Sequence, residues 1–80
     1  MMKLLFPLHF QHRMMERGID ADHVKSAIKN PDSTEVTFQG RIRARKKIDA
    51  KRVIEVIYYK QGFIGVRNIV VITAYYQPNE

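Results

Sequence analysis

Residues 41–60 read RIRARKKIDAKRVIEVIYYK, and the period of this stretch decides the fold. From Arg41 to Ile48 cationic and apolar side chains alternate. Ile42, Ala44 and Ile48 fall on one side, and Arg41, Arg43, Arg45 and Lys47 on the other. Side chains along a strand point alternately to the two faces of a sheet, so this pattern predicts a strand with one face on a core. Asp49-Ala50-Lys51 predicts a turn. Arg52–Lys60, with Val53-Ile54-Glu55-Val56-Ile57-Tyr58-Tyr59 at its centre, is rich in β-formers and predicts the next strand.

Toward the C-terminus, Gln61-Gly62 predicts a turn into a last strand at about Val66–Tyr76. Its Ile69-Val70-Val71-Ile72 is apolar on both faces, as suits an interior strand. Toward the N-terminus, Gly40 marks a turn, and Ser33–Gln39, with Val36 and Phe38 on one face, predicts another strand. Before Pro31 the period becomes helical. Asp20 or Asp22 caps a helix over Ala21–Asn30, which buries Val24, Ala27 and Ile28 and is stopped by Asn30-Pro31. An earlier helix runs over Pro7–Arg17, with Phe10 and Met14 inward, Leu8 and Met15 pointing elsewhere, and Gly18 reversing the chain. Met1 to Phe6 reads as a short edge strand or an apolar arm. The expectation is one α+β domain over residues 1–80. Two N-terminal helices pack on one face of a mainly antiparallel four-stranded sheet, with room for a short N-terminal strand. The other face is then open, and carries the basic row and some of the strand tyrosines.

Composition narrows the function classes. Hydrophobic residues at 45% and charged residues at 28% are globular values, not those of a disordered chain. The absence of cysteine excludes a disulfide scaffold and a thiolate metal site. No apolar run approaches the roughly 18 residues of a membrane span. Leu4-Leu5-Phe6, broken by Pro7, is too short for a signal-peptide core, so a cytoplasmic protein is expected. The formal net charge of +6 arises wholly in residues 41–80, and seven basic residues lie between Arg41 and Arg52 against Asp49 alone. Such a local excess repels itself unless an anionic partner uses it or solvent simply covers it. Same-face residues on a strand repeat at about 6.8 Å, close to the phosphate spacing of an extended nucleic-acid strand. Arg41, Arg43, Arg45, Lys46, Lys47 and Arg52 are therefore candidate backbone contacts. Tyr58, Tyr59, Tyr75 and Tyr76 are candidate stacking faces for the bases of single-stranded RNA.

The first helix holds a second constellation. His9, Arg13 and Arg17 are spaced i, i+4, i+8 and form one line beside Phe10 and Met14. RNA can be cut by its own 2′-hydroxyl if one group takes that proton, another protonates the leaving oxygen and cations hold the phosphate. His9 suits the proton transfer and Arg13 and Arg17 the phosphate. The plainer alternative is a helix-start histidine bonded to its neighbours, with Arg13 and Arg17 salt-bridged to Glu35 or Glu55. His9, His12 and Glu16 have ligand spacing, but Arg13 and Arg17 would repel a divalent ion, and neither a metal nor another cofactor is expected.

The run His9-x-x-x-Arg13-Met14-x-x-Arg17-Gly18-Ile19, followed by an acidic cap, Val24, Ile28 and Pro31, resembles a prokaryotic family of small domains of unknown function. Its members open with a His-Ala-x-x-Arg-Met-x-x-Arg-Gly-Ile helix and close on a Val-Ile-Thr-x-Tyr strand. Val71-Ile72-Thr73-Ala74-Tyr75 matches the close, while Phe10 replaces the small residue after the histidine. The resemblance runs from about Leu8 to Tyr76 and extends to the RelE, ParE and BrnT type of toxin. It implies a RelE/BrnT-like fold and an RNA-binding domain, as a metal-independent endoribonuclease (an mRNA interferase) of a toxin–antitoxin pair. RNA, including ribosome-bound mRNA, and an acidic antitoxin are then the expected partners. It also implies roles for Arg43, Arg45, Lys47 and for Tyr75 or Tyr76, which would stack a base or serve as a second, catalytic proton donor beside His9. A non-catalytic basic module that binds nucleic acid or an acidic protein is the alternative.

Overall fold

The computed structural model describes residues 2–63 and 66–78. In chain order the elements are β1 (Met2–Leu5), α1 (Leu8–Arg17), α2 (Ala21–Lys29), β2 (Ser33–Val36), β3 (Ile42–Lys47), β4 (Arg52–Phe63) and β5 (Val66–Pro78). The strands form one sheet in the order β1-β5-β4-β3-β2. β2 through β5 are an antiparallel meander, as the alternation in 41–60 predicts. The sheet is nevertheless five-stranded and mixed, not four-stranded, because β1 adds in parallel along β5 with Leu4 opposite Ile69 and Leu5 opposite Val70. That pairing covers the part of β5 that is apolar on both faces and satisfies its outer backbone groups.

Both helices pack on one face. Phe10 and Val24 reach zero exposure against Ala44, Ile54, Val56, Val71 and Ala74, with Leu4, Phe6, Met14, Ile42, Ile48 and Tyr76 packed around them. Local chemistry explains each helix end. Gly18 takes φ +64°, where a side chain is disfavoured, and its N–H bonds the last carbonyls of α1. The Asp20 carboxylate accepts the Asp22 N–H and caps α2.

The strand ends differ from the sequence reading in two places. β2 stops at Val36, because Phe38–Gly40 form a tight 3-10 turn with Gln39 and Gly40 both at positive φ. Val36 and Phe38 consequently stand out in solvent. Gln61 and Gly62 do not turn; they pair with Asn68 and Arg67 as β4 runs on to Phe63, and the connection at positions 64 and 65 lies outside the described residues. The β4–β5 register also shifts at Ile57/Tyr58, leaving one extra residue, Ile72, on β5. This bulge keeps both Val71 and Ala74 on the core face although they are three residues apart. Among the described residues no helix is long and apolar enough to cross a membrane.

Candidate RNA-binding face

The sheet face opposite the helices is set by register. One cross-strand row runs Ser33, Arg45, Glu55, Tyr75, and the next runs Glu35, Arg43, Ile57, Thr73. Neighbouring strands lie about 4.8 Å apart, so each row brings its side chains into contact range. At the centre, Glu55 is 1% exposed. Arg43 Nε lies 2.9 Å from Glu55 Oε1, and Arg45 Nε lies 3.5 Å from the same oxygen. Glu35 adds a looser contact of 3.6 Å to Arg43, and the Arg45 guanidinium donates to Gln77 Oε1. The Arg43–Glu55 contact is close but not aligned as a hydrogen bond, and neither Glu55 oxygen accepts an aligned bond from a described residue. The charge of both arginines holds the carboxylate, with the Tyr75 hydroxyl beside it. Burial, reinforced by the Glu55 carboxylate, pushes the Tyr75 hydroxyl above its ordinary range, against the opposing pull of Arg43 and Arg45. A pocket of about 330 Å³ opens beside the cluster, lined by Ser33, Thr34, Glu35, Arg43 and Arg45.

The basic row is thus divided. Arg43 and Arg45 are committed to Glu55, while Arg41 and Lys47 form no ion pair among the described residues and are exposed. Lys46 points to the helix side, where its Nζ donates to the Asn30 carbonyl. Arg52 pairs with Asp49 at 3.2 Å and lies 4.8 Å over the Tyr76 ring. The tyrosines divide as well. Tyr59 and Tyr75 belong to the open face, but Tyr58 is buried in the helix-side core, which raises its hydroxyl pKa. Tyr76 also faces the helices: its hydroxyl accepts the Asp20 N–H at 3.1 Å and lies 2.8 Å from His23 Nδ1. Tyr76 and Tyr58 are therefore anchors of the fold and not stacking faces. Strand alternation, interrupted by the bulge, decides which tyrosine goes where.

The helix constellation stands elsewhere. His9 and Arg13 are exposed on α1, and the whole sheet separates α1's layer from Arg43, Arg45 and Tyr75. Arg17 donates to the Thr73 hydroxyl at 3.3 Å and the Ala74 carbonyl at 3.1 Å, capping the edge of β5 beyond the end of β1. Glu35 and Glu55, considered as partners for Arg13 and Arg17, pair with the strand arginines instead. His12 and Glu16 line a shallow groove with Met15, and the described residues contain no group of three side chains placed to hold a metal ion.

Glu55 lies at the centre of the candidate site, whereas sequence reading considers it only as a salt-bridge partner of Arg13 or Arg17. Its signal was present: a single carboxylate in an otherwise apolar strand centre, on the alternation face that meets the basic row. Over residues 6–79 the chain matches the model of a domain of unknown function, DUF4258. The chain belongs to this family. The DUF4258 match spans α1 through β5 and so includes both the helix motif and the Arg43–Glu55–Arg45 cluster. A comparison with curated proteins finds no match.

Proposed function

We propose that the open face binds single-stranded RNA and cuts it without metal, as an RNA-binding, RelE/BrnT-like toxin domain of a toxin–antitoxin pair. The observation that carries this reading is the Arg43–Glu55–Arg45 cluster beside Tyr75, at the mouth of a pocket on an exposed sheet. Two guanidinium forks suit the non-bridging oxygens of one phosphodiester. Tyr59 and Tyr75 offer ring faces to bases on either side, and Arg41 and Lys47 extend the cationic track along the strand. The two-helix, mostly antiparallel architecture supports the likeness to RelE, ParE and BrnT toxins. Cytoplasmic mRNA is the natural substrate under this reading, and an acidic antitoxin the natural partner.

The test is chemical. Incubated with single-stranded RNA in EDTA, the protein is expected to leave a 2′,3′-cyclic phosphate and a 5′-hydroxyl, and to spare a substrate with 2′-deoxyribose at the cut. Arg43→Ala with Arg45→Ala removes both cleavage and growth arrest on expression. Activity lost in EDTA and restored by a divalent metal, or cleavage that leaves 5′-phosphate ends, overturns the metal-free reading. A second reading, a non-catalytic module for an acidic protein, is favoured by one observation: Val36, at the end of the outer strand, and Phe38, in the turn after it, are 75% and 82% exposed at the edge of the sheet. Intact RNA together with tight capture of an acidic amphipathic partner would favour it.

A further inference from the structure

Glu55 is a charge where the fold has no structural need of one. The residues flanking it on the same face of β4 are Val53 and Ile57, and an apolar side chain at this position would complete the strip. A carboxylate buried to this degree loses most of its hydration, and ion pairing offsets that only when the geometry is good and the remaining lone pairs are satisfied. Here both oxygens lack an aligned bond from the described residues. Arg43 and Arg45 keep 37% and 48% of their side-chain surface exposed and line the pocket, so an anion from solvent reaches them without disturbing the sheet.

Resting on the RNA-cleaving reading above, we propose that Glu55 is the proton acceptor of the reaction, uncovered when the scissile phosphate draws Arg43 and Arg45 away from it. The Glu55 carboxylate takes the proton of the 2′-hydroxyl, O2′ forms a bond to phosphorus, and the bond from phosphorus to O5′ breaks. O5′ receives its proton from the Tyr75 hydroxyl. Glu55 leaves the step protonated and Tyr75 deprotonated, and exchange with solvent resets both. Tyr75 enters as donor because it stands directly across from Glu55 on the open face and a tyrosine hydroxyl carries its proton at neutral pH. Exchange of the arginines ties the base to its substrate: while the pocket is empty, Arg43 and Arg45 pair with Glu55 and cover it. The charged and titratable groups facing Glu55 are Arg43 and Arg45 from β3 and Tyr75 from β5, with Glu35 of β2 reaching it only through Arg43.

Single-turnover cleavage of a short single-stranded RNA by the full chain, with binding of its all-2′-deoxy analogue measured in parallel, tests this. Glu55→Gln is expected to slow cleavage about 10²–10⁴-fold, with analogue binding unchanged or tighter because both arginines are freed. Glu55→Asp, which keeps the charge but withdraws it, falls between wild type and Glu55→Gln. A folded Glu55→Gln that cuts at the wild-type rate overturns the assignment of Glu55 alone. So does a folded Glu55→Asp that cuts no faster than Glu55→Gln. Wild-type protein that binds the analogue yet cuts no RNA overturns the nuclease reading itself, and the role of Glu55 with it.

Discussion

Adjacent tyrosines on β5 show how single residues acquire opposite duties. Tyr75 projects beside Glu55 and two arginines, whereas Tyr76 ties the sheet to the start of α2 through the Asp20 N–H and His23. Tyr76→Phe keeps the ring and its stacking under Arg52 but leaves the Asp20 N–H unpartnered. Chemical denaturation is expected to show a loss of about 1–2 kcal/mol, with RNA cleavage unchanged at equal folded fraction. Asp49 makes the β3–β4 turn by accepting the Lys51 and Arg52 N–H groups, and these bonds, the Lys51 N–H foremost, hold its pKa below the ordinary value. A carboxyl depressed in the folded state stabilises above its unfolded pKa of about 3.9, and that stabilisation disappears as pH falls through the folded value. Asp49→Asn is therefore expected to melt lower than wild type at pH 7, and the two melting curves should converge as the pH is lowered below about 4. A gap that persists or widens in acid contradicts the assignment. The alternation of residues 41–48 made Arg43 and Arg45 legible as open-face cations. It did not reveal that a buried carboxylate holds both, because a strand pattern fixes the face of a residue and not its partner.

At the scale of elements, what was legible followed from strong local chemistry. The Asp20 cap, the Gly18 reversal and the β3–β4 hairpin with its Asp49-Ala50-Lys51 turn all stand where the sequence puts them. The misread parts depend on long-range pairing. Gln61 and Gly62 read as a turn in isolation, but partners on β5 extend the ladder through them. Met2–Leu5 is an edge strand, one of the two forms the sequence allowed, but its parallel pairing depends on β5 offering an edge more than sixty positions away. The β5 bulge, invisible to a period-two count, sends Tyr76 to the helices. α1 is held mainly by one side chain, since Phe10 is its only fully buried residue among those described. Phe10→Ala is expected to cost about 3–5 kcal/mol. A domain of this size has roughly 4–12 kcal/mol of total stability at 0.05–0.15 kcal/mol per residue. Circular dichroism should show this variant partly unfolded at 37 °C, and a melting temperature within a few degrees of wild type would mean that α1 is held by something else.

For the whole molecule, the decisive fact is that two candidate surfaces lie on opposite sides of one sheet. The α1 line of His9 and Arg13 faces solvent from the helical layer, and the family motif it belongs to draws attention there first. The open face holds the densest positive charge, the half-exposed arginines, the buried carboxylate and the pocket. Under the proposed function RNA docks on the second surface, while Arg17 has a structural part at the β5 edge. Backbone and arginine side-chain NMR shifts, followed while an uncleavable all-2′-deoxy oligonucleotide is titrated into the wild-type protein, separate the two surfaces directly. The predicted result is saturable shifts at Arg43, Arg45, Glu55, Tyr59 and Tyr75, with the α1 signals of His9 and Arg13 stationary. Shifts centred on His9 and Arg13, with Arg43 and Arg45 still paired to Glu55 at saturation, would contradict it.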